Sequence, residues 1–164
     1  MHALVVTESC FGNTTRIGEA VATGLRSQGI LVTITDATTA PVPDSVDLVV
    51  VGAPTHSMGL PGPGTRQQAQ SKGGRTATSG VAEWLAALPA LNGLRAAAFD
   101  TVTGTGFFNG SAARRIEKQL RRRSADVIAR QSFLVDATSG PMADGEVARA
   151  ERWAASLTQD PRPR

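Results

Sequence analysis

The sequence of 164 residues has a single cysteine, Cys10, no tyrosine and only 4% aromatic residues. One cysteine excludes an internal disulfide and a cysteine zinc cluster. The chain is long enough to bury a core without either. No apolar run approaches the ~18 residues of a membrane span. Met1 leads straight into Ala3-Leu4-Val5-Val6, with no basic leader or signal cleavage site, so a cytoplasmic protein that makes no use of a membrane is expected. A strong net charge is also missing, since 17 Lys and Arg against 14 Asp and Glu leave +3. Much of that excess is local, in Arg114, Arg115, Lys118, Arg121, Arg122 and Arg123. No base-stacking aromatic residues lie among them, which favours a solvated helix face over a nucleic-acid site. With 41% hydrophobic and 19% charged residues, the composition is that of a globular domain and not of a disordered chain or a coiled coil.

Apolar, β-branched runs alternate with helical patterns from end to end. Leu4-Val5-Val6 reads as a buried strand, and Thr14 to Leu25 as a helix with Ile17, Val21 and Leu25 on one face and Gly29 as its stop. Ile30 to Ile34 is a second strand ending at Asp36. The segment from Ala37 to Asp44, broken by two prolines, predicts an irregular crossover. Val46 to Val51 is the strongest strand signal, a continuous run suited to a central parallel strand covered on both faces. Gly59 to Gly80, rich in Gly, Pro, Gln and Ser, reads as a long surface loop, followed by a helix from Val81 to Leu88. Ala96 to Phe99 is a fourth strand, and Ser111 can cap a helix running to about Arg123. A fifth strand is placed at the Ser132 to Val135 end of Val127 to Val135. A last helix starts at Asp144, with Val147, Ala150, Ala154 and Leu157 as its buried stripe, and Trp84 and Trp153 are read as core. Five strands alternating with four or five helices predict a doubly wound α/β sandwich, because parallel neighbours need crossovers of this length. Residues 1–159 are expected to form one domain, with 160–164 as a flexible tail.

Ligands of such folds bind at the carboxyl ends of the strands. The first loop there, Ser9-Cys10-Phe11-Gly12-Asn13-Thr14, offers backbone amides at a helix start together with hydroxyl and amide side chains, the makings of a phosphate site. The plainer reading is that Asn13 or Thr14 only caps the helix. Other phosphate motifs fail: Gly-Lys-Ser/Thr is absent, and the dinucleotide fingerprint needs three glycines where this loop has Gly12 alone. One rival has the right spacing, for Cys10 and Arg16 satisfy the Cys-x5-Arg pattern of cysteine phosphatases. Against it, Thr7-Glu8-Ser9 separate the cysteine from the strand end, Ile17 stands where a Ser should follow the Arg, and the one Asp-Pro pair, Asp160-Pro161, lies in the tail.

On these residues the chain resembles the flavodoxin family over most of its length. Flavodoxins hold the FMN phosphate with Thr-x-Thr-Gly-Asn-Thr after the first strand, and Ser9, Gly12, Asn13 and Thr14 match that motif, with Phe11 in place of a Thr. Their second flavin loop is represented by Gly52-Ala53-Pro54-Thr55-His56, with His56 where the family usually has Trp. Their third corresponds to Asp100-Thr101-Val102-Thr103-Gly104, leading to Phe107-Phe108 as the candidate stacking aromatics. The resemblance implies a three-layer sandwich around a five-stranded parallel sheet of order 2-1-3-4-5, and FMN as cofactor. It implies phosphate contacts from Ser9, Cys10, Phe11, Gly12, Asn13 and Thr14. Ring contacts would come from Pro54, Thr55, His56, Thr101, Val102, Thr103, Gly104, Phe107 and Phe108. The function implied is electron transfer, as a carrier or an FMN-dependent oxidoreductase, with a redox partner protein or reductase that the sequence does not name. No side chain is required as acid, base or nucleophile, and no metal is expected. The cysteine phosphatase and a flavin-free interaction domain on the same fold stay open as alternatives, the second because the usual Trp and Tyr are missing.

Overall fold

A computed structural model describes residues 1–104, 110–137 and 139–159. The elements run β1 (His2–Thr7), α1 (Asn13–Arg26), β2 (Leu31–Asp36), β3 (Leu48–Pro54), α2 (Pro63–Ser71), α3 (Val81–Ala87), β4 (Arg95–Val102), α4 (Ala112–Arg122), β5 (Asp126–Leu134) and α5 (Glu146–Ser156). The strands form one parallel sheet of order β2-β1-β3-β4-β5, as expected.

Alternation along the central strands explains why they read as unbroken apolar runs. Ala3, Val5, Leu48 and Val50 point to one face, where Ile17, Val21 and Leu25 of α1 and Ala150 and Ala154 of α5 cover them. Leu4, Val6, Val49 and Val51 point to the other, against Leu85 of α3 and Ile116 and Leu120 of α4. Both faces are dry, so every position must be apolar. The edge strand β2 lacks this double cover, and Leu31 is exposed on it. Gly24 lets α1 and α5 lie close, since a Cβ there would run into the Glu151 carbonyl. Beneath α5, Phe99, Phe133 and Trp153 meet edge to face at 5.9–6.3 Å between centroids, with the Arg149 guanidinium 4.7 Å from the centre of the Phe133 ring.

Three expectations need correction. The stretch from Gly59 to Gly80 is not a loop throughout, because α2 occupies its centre. Pro63 opens that helix, and the Thr65 hydroxyl accepts from the Gly62 amide at 2.9 Å. Its sequence shows no apolar stripe because its two buried side chains are Ala69 and a charged one, Arg66. The fifth strand begins at Asp126, well before Ser132, since the whole edge of β4 is paired from Arg95 onward. The last helix starts at Glu146 after Gly145, and Glu146 is buried there while Val147 is only half covered. The irregular crossover after β2 and the Ser111 cap of α4, which accepts from the Arg114 amide at 3.1 Å, are as predicted. The tail at 160–164 lies outside the described residues.

Candidate functional site

The first wall of the site is almost entirely main chain. Thr7 ends β1, the Glu8 amide donates to Gly52 O at 3.0 Å, and the chain turns through Ser9 to Gly12 into α1. Gly12 sits in the left-handed region at φ 93°, which a side chain would strain. Its amide is held by Ser9 Oγ at 3.0 Å. Gly12 is therefore the N-cap, and neither Asn13 nor Thr14 spends its side chain on capping. The first helical bond runs from the Arg16 amide to Gly12 O at 3.0 Å, so the amides of Asn13, Thr14 and Thr15 have no acceptor within the helix. Asn13 Nδ2 is buried beside them without a partner. Donors without acceptors at a helix N-terminus are what an oxyanion satisfies.

Side chains tie this loop to the other two. Thr14 Oγ1 and Thr101 Oγ1 are 2.9 Å apart, both buried. The Thr55 amide donates to Thr101 O at 3.0 Å. Asp100, wholly buried, accepts through Oδ2 from Thr55 Oγ1 at 3.0 Å, Ser111 Oγ at 2.7 Å and the Ala113 amide at 2.9 Å. The Thr55 hydroxyl in turn accepts from the Ala112 amide at 2.9 Å. One carboxylate thus fixes the ends of β3 and β4 against the start of α4. The resulting cleft, about 60 Å³, is lined by Ser9, Cys10, Phe11, Asn13, Thr14, Pro54, Thr55, His56, Thr101, Thr103 and Val135. Beside it a second hollow of about 160 Å³ opens between the His56–Ser57 turn and α2, with Phe11 bordering both.

The second wall rests on buried charge. Arg66 of α2, 2% exposed, reaches Glu8 Oε1 at 2.6 Å and Glu83 Oε1 at 2.5 Å, and the Val81 amide donates to Glu8 Oε2 at 2.9 Å. Burial works against the Arg66 charge, but the hydrogen bonds to Glu8 and Glu83 outweigh it and hold the guanidinium above its ordinary pKa. After α2 the Arg75 amide closes on Cys10 O at 2.8 Å, clasping the first loop from outside. Between the walls, His56 and Gly59 exchange amide-to-carbonyl bonds of 2.8 Å around Ser57 and Met58, whose φ values of 44° and 70° are left-handed without glycine. Such residues cost roughly 1–3 kcal/mol each and gather where a loop is held for function. Burial first, and then the Arg66 charge, push the His56 pKa below its usual value, so the neutral form predominates at pH 7. Its Nδ1 is buried and unpartnered.

No protein-family model and no curated protein matches the sequence. Solved structures do match in three dimensions. A flavodoxin from the domain Archaea aligns with TM-score 0.67 and 18% identity over 96% of both chains. Oxidised Flavodoxin 1 from Bacillus cereus gives 0.69 and 17%, over 96% of this chain and 97% of that one. The flavodoxin of Streptococcus pneumonia TIGR4 gives 0.67 and 22% over the same shares. The fold is flavodoxin-like.

In this flavodoxin-like chain the predicted residues converge unevenly. Ser9, Cys10, Phe11, Asn13 and Thr14 of the first loop meet Pro54, Thr55, His56, Thr101 and Thr103 at the cleft, while Gly12 is outside the lining and exposed, shaping the loop as the helix N-cap. Val102 does not line it. Its side chain is buried and its carbonyl accepts from the Val135 amide at 2.9 Å. Gly104 lies beyond the lining, and Phe107 and Phe108 fall outside the described residues. The phosphatase reading loses its chemistry here. Burial and the neighbouring Glu8 push the Cys10 thiol above its ordinary pKa, the opposite of an activated nucleophile, and Arg16 is exposed on α1, away from the cleft lining. The sequence did not point to Arg66, Asp100 as a clamp, the left-handed turn at Ser57-Met58, or Val135. Of these, only Asp100 had a signal, an acid that follows the apolar run Ala96 to Phe99.

Proposed function

We propose that the cleft binds FMN, with the phosphate at Ser9 to Thr14 and the ring toward Thr55, His56 and Thr101 to Gly104, and that the chain transfers electrons through it. The observation that carries this reading is the unsatisfied donor set of the first loop. The amides of Asn13 to Thr15 lack helical acceptors, and Asn13 Nδ2 is buried without a partner. A phosphate group would complete it without any lysine or arginine in the loop. When bound, the flavin supplies the capacity to take up and release one or two electrons, which no side chain here has. The residues of the chain hold and tune it. The Thr14–Thr101 contact and the Asp100 clamp keep the phosphate loop and the ring loops at fixed separation. His56 lines the cleft, its pKa lowered by burial and by Arg66 and its Nδ1 buried without a partner. The pairing of Glu8 with Arg66 removes one carboxylate charge from the surroundings of the ring. The function proposed is that of a flavoprotein carrier or an FMN-dependent oxidoreductase, cytoplasmic, reduced by a reductase and oxidised by an acceptor protein. No helix among the described residues is long and apolar enough to cross a membrane.

Titrating the purified protein with FMN and with riboflavin, followed by absorbance between ~350 and ~500 nm, tests the reading. One FMN per chain is expected, with riboflavin binding at least about tenfold more weakly, a difference of about 1.4 kcal/mol. Equal affinities would remove the phosphate argument, and no binding of either would favour a flavin-free interaction domain.

A further inference from the structure

The strongest charge feature outside the cleft is the outer face of α4. Arg114, Arg115, Lys118, Arg121 and Arg122 are all exposed on it, in a chain whose net charge is only +3. The face carries one carboxylate, Glu117, which takes Arg121 at 3.1 Å and Arg130 of β5 at 2.5 Å. Arg114, Arg115, Lys118 and Arg122 have no carboxylate partner among the described residues. A solvated helix usually interleaves its charges, and this one concentrates cations that repel one another. Arg114, Lys118, Arg121 and Arg122, with Glu117, line an open groove, and the methylene stems of the cations leave apolar surface between charged ends that another protein can cover.

Position gives the face a purpose. The first turn of α4 is bonded to the cleft, through the Ala112 amide to Thr55 and the Ala113 amide to Asp100. Arg115 lies against the turn after β3, 3.7 Å from where a Cβ on Gly59 would sit. The cationic surface therefore begins at the rim of the cleft. We propose that it docks an acidic protein that exchanges electrons with the cleft. Its purpose rests on the flavin reading, while the surface itself does not. A protein partner is favoured over nucleic acid because α4 carries no aromatic residue on which a base could stack.

The probe is an acidic [2Fe–2S] ferredoxin, titrated into the isotope-labelled chain with and without FMN. Binding is followed by NMR shifts and calorimetry at about 50 and about 500 mM salt. Shifts confined to α4 and the turn from His56 to Gly59 are expected, with at least tenfold weaker binding at the higher salt. Lys118→Glu/Arg122→Glu should weaken binding at least tenfold. Arg26→Glu/Arg152→Glu, exposed cations on α1 and α5, should change it less than twofold, with circular dichroism confirming that both variants fold. Equal losses from the two variants, no binding at low salt, or tighter binding of a short DNA duplex through the same residues would each overturn the proposal. Docking without any FMN uptake would overturn the flavin reading and leave the surface standing.

Discussion

The two walls of the cleft are built from different materials. The first, Ser9 to Thr14, is a short loop of main-chain donors whose side chains do little work on stability, apart from the Ser9 and Thr14 contacts. The second, from Pro54 through α2 to Gly80, is long and polar, and it is held by an arginine and a glutamate 58 residues apart in sequence. A donor site made from backbone can be lost only by changing the path of the chain. A wall hung on a buried ion pair can be lost by changing one side chain. The first wall should thus be insensitive in stability and sensitive in ligand affinity, and the second the reverse.

The largest effect should come from Arg66→Met, which leaves Glu8 buried without its counter-charge and should cost about 3–5 kcal/mol. Glu8→Met/Arg66→Met should recover much of that, short of the unsatisfied Val81 amide at about 1–3 kcal/mol. Urea unfolding measures both, and a loss below about 1 kcal/mol for the single variant would erase the contrast between the walls. Next, Asp100→Ala strands the Thr55 and Ser111 hydroxyls and the Ala113 amide, and a loss of about 2–4 kcal/mol is expected by the same measurement.

Asn13→Ala tests the first wall. It removes a buried donor with no partner, so the unliganded protein should keep its stability within about 0.5 kcal/mol. FMN affinity should fall about tenfold and riboflavin affinity should not change. A stability loss instead would mean that Asn13 serves the fold. Cys10→Ser should alter FMN affinity little, since Cys10 offers a thiol raised out of its reactive range and a carbonyl that Arg75 already takes.

The smallest effect concerns His56, which lines the cleft and feels the Arg66 charge. Its folded pKa lies below the ordinary 6.5, so the unfolded chain binds the proton more readily. The associated stability is complete above about pH 6.5 and is lost as pH falls from there through the folded value. Burial is the main cause and the Arg66 charge the second, so Arg66→Met should move the His56 pKa part of the way back up. An NMR titration of the His56 ring reads this directly, and an unchanged pKa would show that the charge of the second wall does not reach the cleft.

The order of strands and helices, the doubly covered sheet and the position of the first loop could be read from the sequence because each is local. An apolar run such as Val49-Val50-Val51 carries its own burial requirement, and Gly12-Asn13-Thr14 carries its own turn and helix start. The second wall could not be read that way. In α2 the large side chain facing inward beside Ala69 is Arg66, which looks like surface until Glu8 and Glu83 are brought to it, so the helix was hidden among the glycines and prolines around it. Asp100 likewise gives no sign in sequence that Thr55 and Ser111, 45 and 11 residues away, both donate to it. The layers and the anion-binding turn depend on hydrophobic period and backbone conformation, and both run along neighbouring residues. How the cleft is closed and clamped depends on contacts between distant segments, because a buried charge is tolerated solely where distant partners arrive to neutralise it.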